Sequence, residues 1–417
     1  MRFFLAIITL CLALSSEAGV RVGADRLEVL LPLLEGKKVG LTGNQSSVLS
    51  DDAHTLLLDT LLKRGVTVTK LYSPEHGFRG TADAGAKVRS GIDAVTGLPV
   101  FSLYGKNRKP SPQDLSGIEV MVLDLQDVGV RFYTYISTMY YVLEACAESG
   151  IPLIVLDRPN PHDAVDGPML DPSKRSFIGM FPIPAVHGLT MGELALMTVG
   201  EKWLKTTKTP LLTVLKCEGW KHGDPYALPV PPSPNLRSER AILLYPTLCF
   251  YEGTSWSVGR GTVRPFEEIG YPDRSLGAYR FTPQSMPGAT APMYRGKRCY
   301  GPNLSERTFA PGIDVELLIE TARLSQKAGI KFFARPEHFD LLAGTSKLRR
   351  QIESGLSAGE IRASWSDGLA RYRLLRSRYL LYSEPASRYS PVGSATEAEC
   401  PVPESRVGAR ARYKKIR

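Results

Sequence analysis

The stretch GVTVTKLYSPEHGFRG, residues 65–80, carries two messages. Residues 66–72 (VTVTKLY) read as a strand, β-branched and aromatic side chains bounded by Gly65 and Pro74. Immediately afterwards a carboxylate, an imidazole and a guanidinium (Glu75, His76 and Arg79) crowd a short loop whose Pro74 and Gly77 fix and expose the backbone. A strand that ends in such a cluster fits either an ordinary polar loop or the working edge of a site.

Outward from this stretch the pattern repeats. Helical leucine spacing in 26–36 precedes a short apolar strand at 37–43, and a helix over 54–65 precedes the strand at 66–72. Strands follow at 98–104 and 118–125, then a four-turn helix over 135–150 and a strand at 151–157. The strands are runs of Val, Ile and Leu with little alternation, as expected of a mainly parallel sheet covered on both faces. The reading is an open, Rossmann-like α/β domain over 19–170. Ligands of such sheets bind at the carboxyl edge. The loops there are GNQSS (43–47), SPEHGFRG (73–80), YGKNRK (104–109), QDVGVRFYTY (126–135) and DRPNP (157–161), the most polar stretches of this half. From residue 171 the texture becomes Pro-rich and irregular, with a rigid segment at 227–238 and a Gly-rich loop at 250–270. Helices at 190–205, 314–329 and 363–381 complete a second, α+β domain over 171–400. No internal repeat is evident.

The chain has 417 residues, 43% of them hydrophobic and 23% charged, enough for two packed globular units. Its net charge of +10 is partly local, because residues 404–417 hold six Lys or Arg against one Glu, and the segment 401–417 reads as a solvated basic tail. Basic residues are not interleaved with aromatics as in nucleic-acid modules, so no nucleic-acid partner is expected. The first 18 residues have a basic start, about a dozen apolar residues and a small-residue end, the pattern of a secretory signal cleaved after Ala18. Leu10 before Cys11 does not suit a lipoprotein signal, and no segment is long enough for a membrane span. An exported protein, periplasmic or extracellular, is expected. Cys146, Cys217, Cys249, Cys299 and Cys400 are widely spaced without C-x-x-C, so neither a disulfide framework nor a zinc site is indicated, although one disulfide stays open. Nothing in the sequence fixes an oligomeric state.

Common catalytic signatures are missing: no G-x-G-x-x-G, Walker A, G-x-S-x-G or H-E-x-x-H occurs, and the first three absences weaken dehydrogenase, nucleoside-triphosphatase and α/β-hydrolase readings. Glu75, His76, Asp127, Asp157 and His187 supply metal-ligand types without ligand spacing. Carboxylates remain, and glycoside cleavage needs a carboxylic acid with, as a rule, a second carboxylate. Glu75 suits one role, against the plain alternative of a loop salt bridge. Glu193 stands in capping-box register with Thr190, a structural reading of equal weight. Glu144, on a helix beside Tyr140, reads as a semi-buried acid whose burial would raise its pKa. Asp124, Asp127, Asp157 and Glu252 fall in loops expected to face the cleft, with Asn44, His76 and His187. Tyr133, Tyr135 and Trp256 could stack on a sugar or simply pack. Arg79, Arg131 and Arg260 could hold a carboxylate through paired N–H donors or serve as surface ion pairs.

Taken in order, SPEHGFRG, DLQDVGVRFYTYISTMYYVLEA, VLDRPNP, HGLTMGELA, EGTSWSVGRGT with RPFEEIG, and AGTSKLRRQIESGLSAGEI resemble the exo-β-N-acetylmuramidases of the NamZ type, long catalogued as a domain of unknown function. The resemblance runs from about residue 25 to residue 383. It implies release of non-reducing terminal β-1,4-linked N-acetylmuramic acid from peptidoglycan fragments, with no cofactor. It also implies a Rossmann-like domain, a smaller second domain and a cleft between them. It nominates Glu75 as a catalytic carboxylate, with Glu144 and Glu193 as candidates for the second. Arg79, Arg131 or Arg260 would then orient the lactyl group, Tyr133 or Trp256 would pack on the ring, and His76 would hold Glu75. Participation by the sugar's acetamido group in place of a second carboxylate stays open. Asp166 stands where relatives are expected to carry Glu. The rival classes are a non-catalytic muropeptide-binding protein and a metal-dependent hydrolase.

Overall fold

The computed structural model describes residues 19–80, 83 and 90–385; the expected signal segment and basic tail lie outside them. The core is a seven-stranded sheet. Its strands are β1 (Val39–Gly43), β2 (Val68–Ser73), β3 (Gly91–Ile92), β4 (Pro99–Ser102), β5 (Val120–Asp124), β6 (Leu153–Leu156) and, after a β7–β8 pair, β9 (Leu212–Leu215). The spatial order is β3-β4-β2-β1-β5-β6-β9. All neighbours are parallel except the edge pair β3–β4. Buried on every residue, β1, β5 and β6 are the uninterrupted apolar runs of the sequence.

Helices cover the faces: α1 (Leu27–Leu34), α2 (Leu57–Lys63), α3 (Tyr135–Ser149) and α4 (Met191–Gly200). α3 ends where Gly150 turns left-handed at φ 69°. α4 begins at a capping box between Thr190 and Glu193. Its Gly192 is needed for close approach, because a Cβ there would lie 2.8 Å from the Asp157 carboxyl carbon.

The chain passes outward from β1 to β2 and β4, then returns to the other side of β1 as β5. Loops leaving β1 and β5 therefore part in opposite directions and open a crevice at the carboxyl edge. The first domain does not stop at residue 170. β9 pairs with β6 over Leu153–Leu156 and extends the sheet to residue 215, because the crossover carrying α4 must bring the chain back parallel. Within that crossover, the irregular Pro-rich stretch contains an antiparallel pair, β7 (Asp166–Met169) and β8 (Pro184–Val186).

The remainder is helical: α5 (Glu239–Leu248), α6 (Val315–Lys327), α7 (Pro336–Ala343), α8 (Lys347–Glu353), α9 (Ala358–Ala363) and α10 (Ser366–Arg376). The short antiparallel strands β10 (Tyr279–Phe281) and β11 (Cys299–Gly301) accompany them. One hydrophobic core runs from α3 and the sheet through α4 to α5, α6 and α7, so the two halves share an interior. Cys146, Cys217, Cys249 and Cys299 are all free, buried thiols. No helix among the described residues is long and apolar enough to cross a membrane.

Candidate active site

A cavity of about 430 Å³ opens between the carboxyl edge of the sheet and the helical half. The sheet side contributes Glu75 from the loop after β2, Tyr104 after β4, and Phe132 and Thr134 after β5. The facing wall carries Tyr245, Cys249, Glu252, Arg260, Arg335 and His338. Two glutamates from opposite halves of the chain therefore look into one space.

Glu75 leaves β2 through a tight turn in which His76 takes the left-handed conformation at φ 73°, a costly choice for a residue with a Cβ. The Thr134 hydroxyl donates to Glu75 Oε2 at 3.0 Å. Burial, then the charge of Glu75 and a hydrogen bond to it, raise the Tyr104 phenol pKa well above its ordinary value, so Tyr104 is a firm donor to this carboxylate. Across the cavity, Arg260 Nε donates to Glu252 Oε1 at 2.7 Å, and its guanidinium lies over the Phe266 ring at 4.8 Å. Burial works against the Arg260 charge, but Glu252 outweighs it and the pKa is raised. Asp83 also reaches the cavity and accepts from the Thr290 N–H at 2.7 Å.

Several expected site residues lie elsewhere. Glu144 is buried beneath Lys109, whose Nζ donates at 2.8 Å, and it also accepts from the Lys205 N–H at 2.8 Å and the Tyr140 hydroxyl at 3.1 Å. Burial would raise its pKa, as the sequence suggested, but these donors outweigh it and the pKa is lowered. It is a structural anchor for α3. Glu193 closes the capping box through Oε2, 2.9 Å from the Thr190 N–H, while Oε1 accepts from the Leu381 N–H at 2.8 Å and faces His222 Nε2 at 2.9 Å. Asp157 accepts from Thr190 and Tyr382 hydroxyls and the Gly192 N–H, at 2.6 to 2.7 Å. Burial and then the neighbouring Glu193 charge push its pKa up to about 6. Neither acid lines the cavity.

The arginines divide in the same way. Arg131 is fully buried and donates to the carbonyls of Pro168, Ile183, Leu342 and Ala343, so it staples the β7–β8 pair to the end of α7. Arg79 is held by both oxygens of Asp93, at 3.0 and 2.8 Å. Of the three arginines expected, Arg260 reaches the cavity. Trp256 is fully buried, its indole N–H donating to Ser325 Oγ at 2.8 Å, and so serves packing. Tyr133 and Tyr135 each donate to the Pro232 carbonyl at 3.0 Å, and Asn44 Nδ2 donates to the Tyr135 hydroxyl at 2.8 Å. These bonds fasten the rigid 227–238 segment over the sheet edge and leave the polar atoms already used.

His187 accepts the Leu189 N–H at Nδ1, which puts its ring proton on Nε2, 3.3 Å from Asp127. Asp127 also accepts from the Gly129 N–H at 2.8 Å and shapes the loop after β5. Asp124 is buried in a two-pronged pair with Arg158, at 2.6 and 2.9 Å. Asp166 accepts from the Ile313 N–H at 2.8 Å and meets Arg362, so the shorter side chain at that position ties β7 to the following helices rather than facing the cavity. Among the described residues, no three His, Cys, Asp or Glu side chains are arranged to hold a metal ion.

The sequence contained one signal for Arg335 and His338, wall residues it did not nominate. PEH occurs twice, at 74–76 and again at 336–338, and both copies border the cavity. The second opens α7 with Pro336 at its first position and brings Arg335 and His338 to the site. α7 packs so closely on the turn bearing Glu252 that a Cβ on Gly253 would meet Phe339 at 2.6 Å.

Fold and site together define a Rossmann-like α/β protein with a carboxylate-bearing cleft at the sheet's carboxyl edge, walled by a helical second half. Residues 39–240 match the family model described as exo-beta-N-acetylmuramidase NamZ, N-terminal, and residues 243–382 match its C-terminal counterpart. The chain is 39% identical over 381 residues to the peptidoglycan beta-N-acetylmuramidase NamZ of Bacillus subtilis (strain 168), covering 85% of this chain and 90% of that protein. Crystal structures of two DUF1343 family proteins from Bacteroides fragilis NCTC 9343 are similar to it. One has a TM-score of 0.80 at 40% identity, covering 88% of this chain and all of that one. The other has a TM-score of 0.74 at 30% identity, covering 87% and 99% respectively. The chain belongs to the NamZ family and is a glycoside hydrolase.

Proposed function

We propose that this enzyme releases N-acetylmuramic acid from the non-reducing end of peptidoglycan fragments, using Glu75 and Glu252 as its pair of carboxylates. The observation that carries the reading is that these two glutamates face one cavity from opposite halves of the chain. Similarity to the Bacillus subtilis peptidoglycan beta-N-acetylmuramidase supports the substrate class.

The two environments suggest a division of labour. A carboxylate gripped by a guanidinium suits the role that carries negative charge through the reaction, as nucleophile or as base toward water, and Glu252 is held by Arg260 at 2.7 Å. Glu75 then takes the complementary part and delivers its proton to the glycosidic oxygen as the bond to the anomeric carbon breaks, leaving a carboxylate that the Tyr104 and Thr134 hydroxyls stabilise. Phe132, Tyr245 and Ile178 supply apolar surface for the sugar face. The secretory pattern of residues 1–18 fits export to the compartment where wall fragments occur.

The test is turnover of a chromogenic β-N-acetylmuramide beside the matching β-N-acetylglucosaminide. Wild type is expected to cleave the muramide, and Glu75→Gln to lose about 10²- to 10⁴-fold in kcat while folding normally. A folded wild type that cleaves neither sugar, or a Glu75→Gln variant with full turnover, overturns the assignment.

A further inference from the structure

The cavity holds an anion-recognition element that the family resemblance does not assign. Among the described residues two arginines line it, and they are chemically unequal. Arg260 is committed to Glu252 at 2.7 Å, so a ligand carboxylate there would compete with an ion pair already formed. Arg335 is exposed at the cavity wall, and among the described residues it enters no ion pair.

Its position is nonetheless fixed. The Arg335 backbone N–H donates to the Gly253 carbonyl at 3.0 Å, and its guanidinium donates to the carbonyl of Glu252. One N–H of the five in the guanidinium fork is used in this way, and the rest remain for a ligand. The anchoring carbonyl belongs to the same residue as the second carboxylate, so an anion bound by Arg335 sits at a set distance from the reacting centre. Arg335 also immediately precedes α7, whose N-terminal end adds partial positive charge, and His338 in the first turn lines the same wall. Burial first, then the neighbouring Arg335 charge, lower the His338 pKa, so its ring is neutral at pH 7 and offers a hydrogen bond without a second charge.

The two sugars of peptidoglycan differ by the lactyl ether alone, and its carboxylate is the anion a guanidinium fork matches. Resting on the reading above, we infer that Arg335 is the specificity-determining residue that selects muramic acid over glucosamine by pairing with the lactyl carboxylate. Arg79 and Arg131 are consumed by Asp93 and by four backbone carbonyls. Arg335 supplies the selectivity that the sequence had assigned to them or to Arg260.

The experiment compares wild type, Arg335→Ala and Arg335→Lys on three chromogenic substrates: the muramide, its lactyl methyl amide and the glucosaminide. Inhibition by free N-acetylmuramic acid and by N-acetylglucosamine is measured in parallel, with thermal melts as a folding control. A hydrogen-bonded pair with a charged group predicts a fall of about 10- to 100-fold in kcat/KM for the free-acid muramide in Arg335→Ala. Loss of the bond to the Glu252 carbonyl lowers turnover of all three substrates, but the free acid should lose about 10- to 100-fold more than the amide and the glucosaminide, so that discrimination between acid and amide collapses; Arg335→Lys should fall between. Equal losses on all three substrates, or an unchanged acid-to-amide ratio in folded variants, overturn the inference while leaving the muramidase reading intact. A wild type inactive on every substrate removes both.

Discussion

Tyr104 and Thr134 approach Glu75 from two different loops, and each supplies a hydroxyl that keeps the carboxyl group aimed into the cavity. Replacing Tyr104 by Phe removes one such donor while preserving the ring, so kcat on the muramide should fall about tenfold with little change in melting temperature. A melting shift without a rate effect would make Tyr104 a packing residue. Trp256 gives the opposite expectation. Fully buried behind the cavity wall, it should cost about 3–5 kcal/mol in denaturant unfolding when changed to Ala, with KM of the folded fraction unchanged. A raised KM at wild-type stability would place the indole against the sugar instead.

At the scale of elements, the parallel sheet was readable because its strands are apolar runs that need no solvent-facing alternation, as β1, β5 and β6 show. The place of Glu75 at the sheet edge was readable because Pro74 and Gly77 punctuate the end of such a run. What the sequence withheld was burial within loops. Arg131 and Trp256 lie in polar, Gly-rich stretches that resemble exposed ligand loops, yet the second half folds over both. Tyr104 and Arg335 belong to segments far apart along the chain, and tertiary packing alone brings them to Glu75 and Glu252. The continuation of the sheet past residue 170 is hidden for a related reason, since β9 follows a long crossover whose β7–β8 pair gives no clear periodic signal. The start of α4 offers a test on this scale. Thr190 caps the helix and also donates to Asp157 at 2.7 Å, so Thr190→Ala should cost about 1–2 kcal/mol in urea unfolding without altering the cavity's kinetics. An unchanged unfolding midpoint would mean that Glu193 and Gly192 suffice to hold the turn.

For the molecule as a whole, the buried cluster beneath α4 governs pH dependence. His222 faces Asp163 through Nδ1 at 2.6 Å and Glu193 through Nε2 at 2.9 Å, and Arg376 lies 3.6 Å from Asp163. Burial alone would lower the His222 pKa, but the hydrogen bonds to Asp163 and Glu193 prevail and raise it to about 9. A pKa raised in the folded state contributes stability that is complete below the unfolded value, about 6.5, and is lost as pH rises through 9. The Asp157 pKa of about 6 acts in the same direction over a lower window, above the unfolded value of 3.8. The free energy of unfolding should therefore decline between pH 6.5 and 9.5 by an amount on the order of 3 kcal/mol, with the melting temperature falling alongside, and His222→Gln should flatten that slope while lowering stability at pH 6.5. Parallel profiles for the two proteins would remove His222 from the account.

α7 is fastened at both ends. Arg335 at its start holds the carbonyls of Glu252 and Gly253, and Leu342 and Ala343 at its close are held by the buried Arg131. A two-turn helix fixed in this way cannot swing aside as a lid, so the wall opposite Glu75 stands ready before any sugar arrives. Capture of the terminal residue then orders little protein, and the entropy surrendered on binding is chiefly that of the glycan chain.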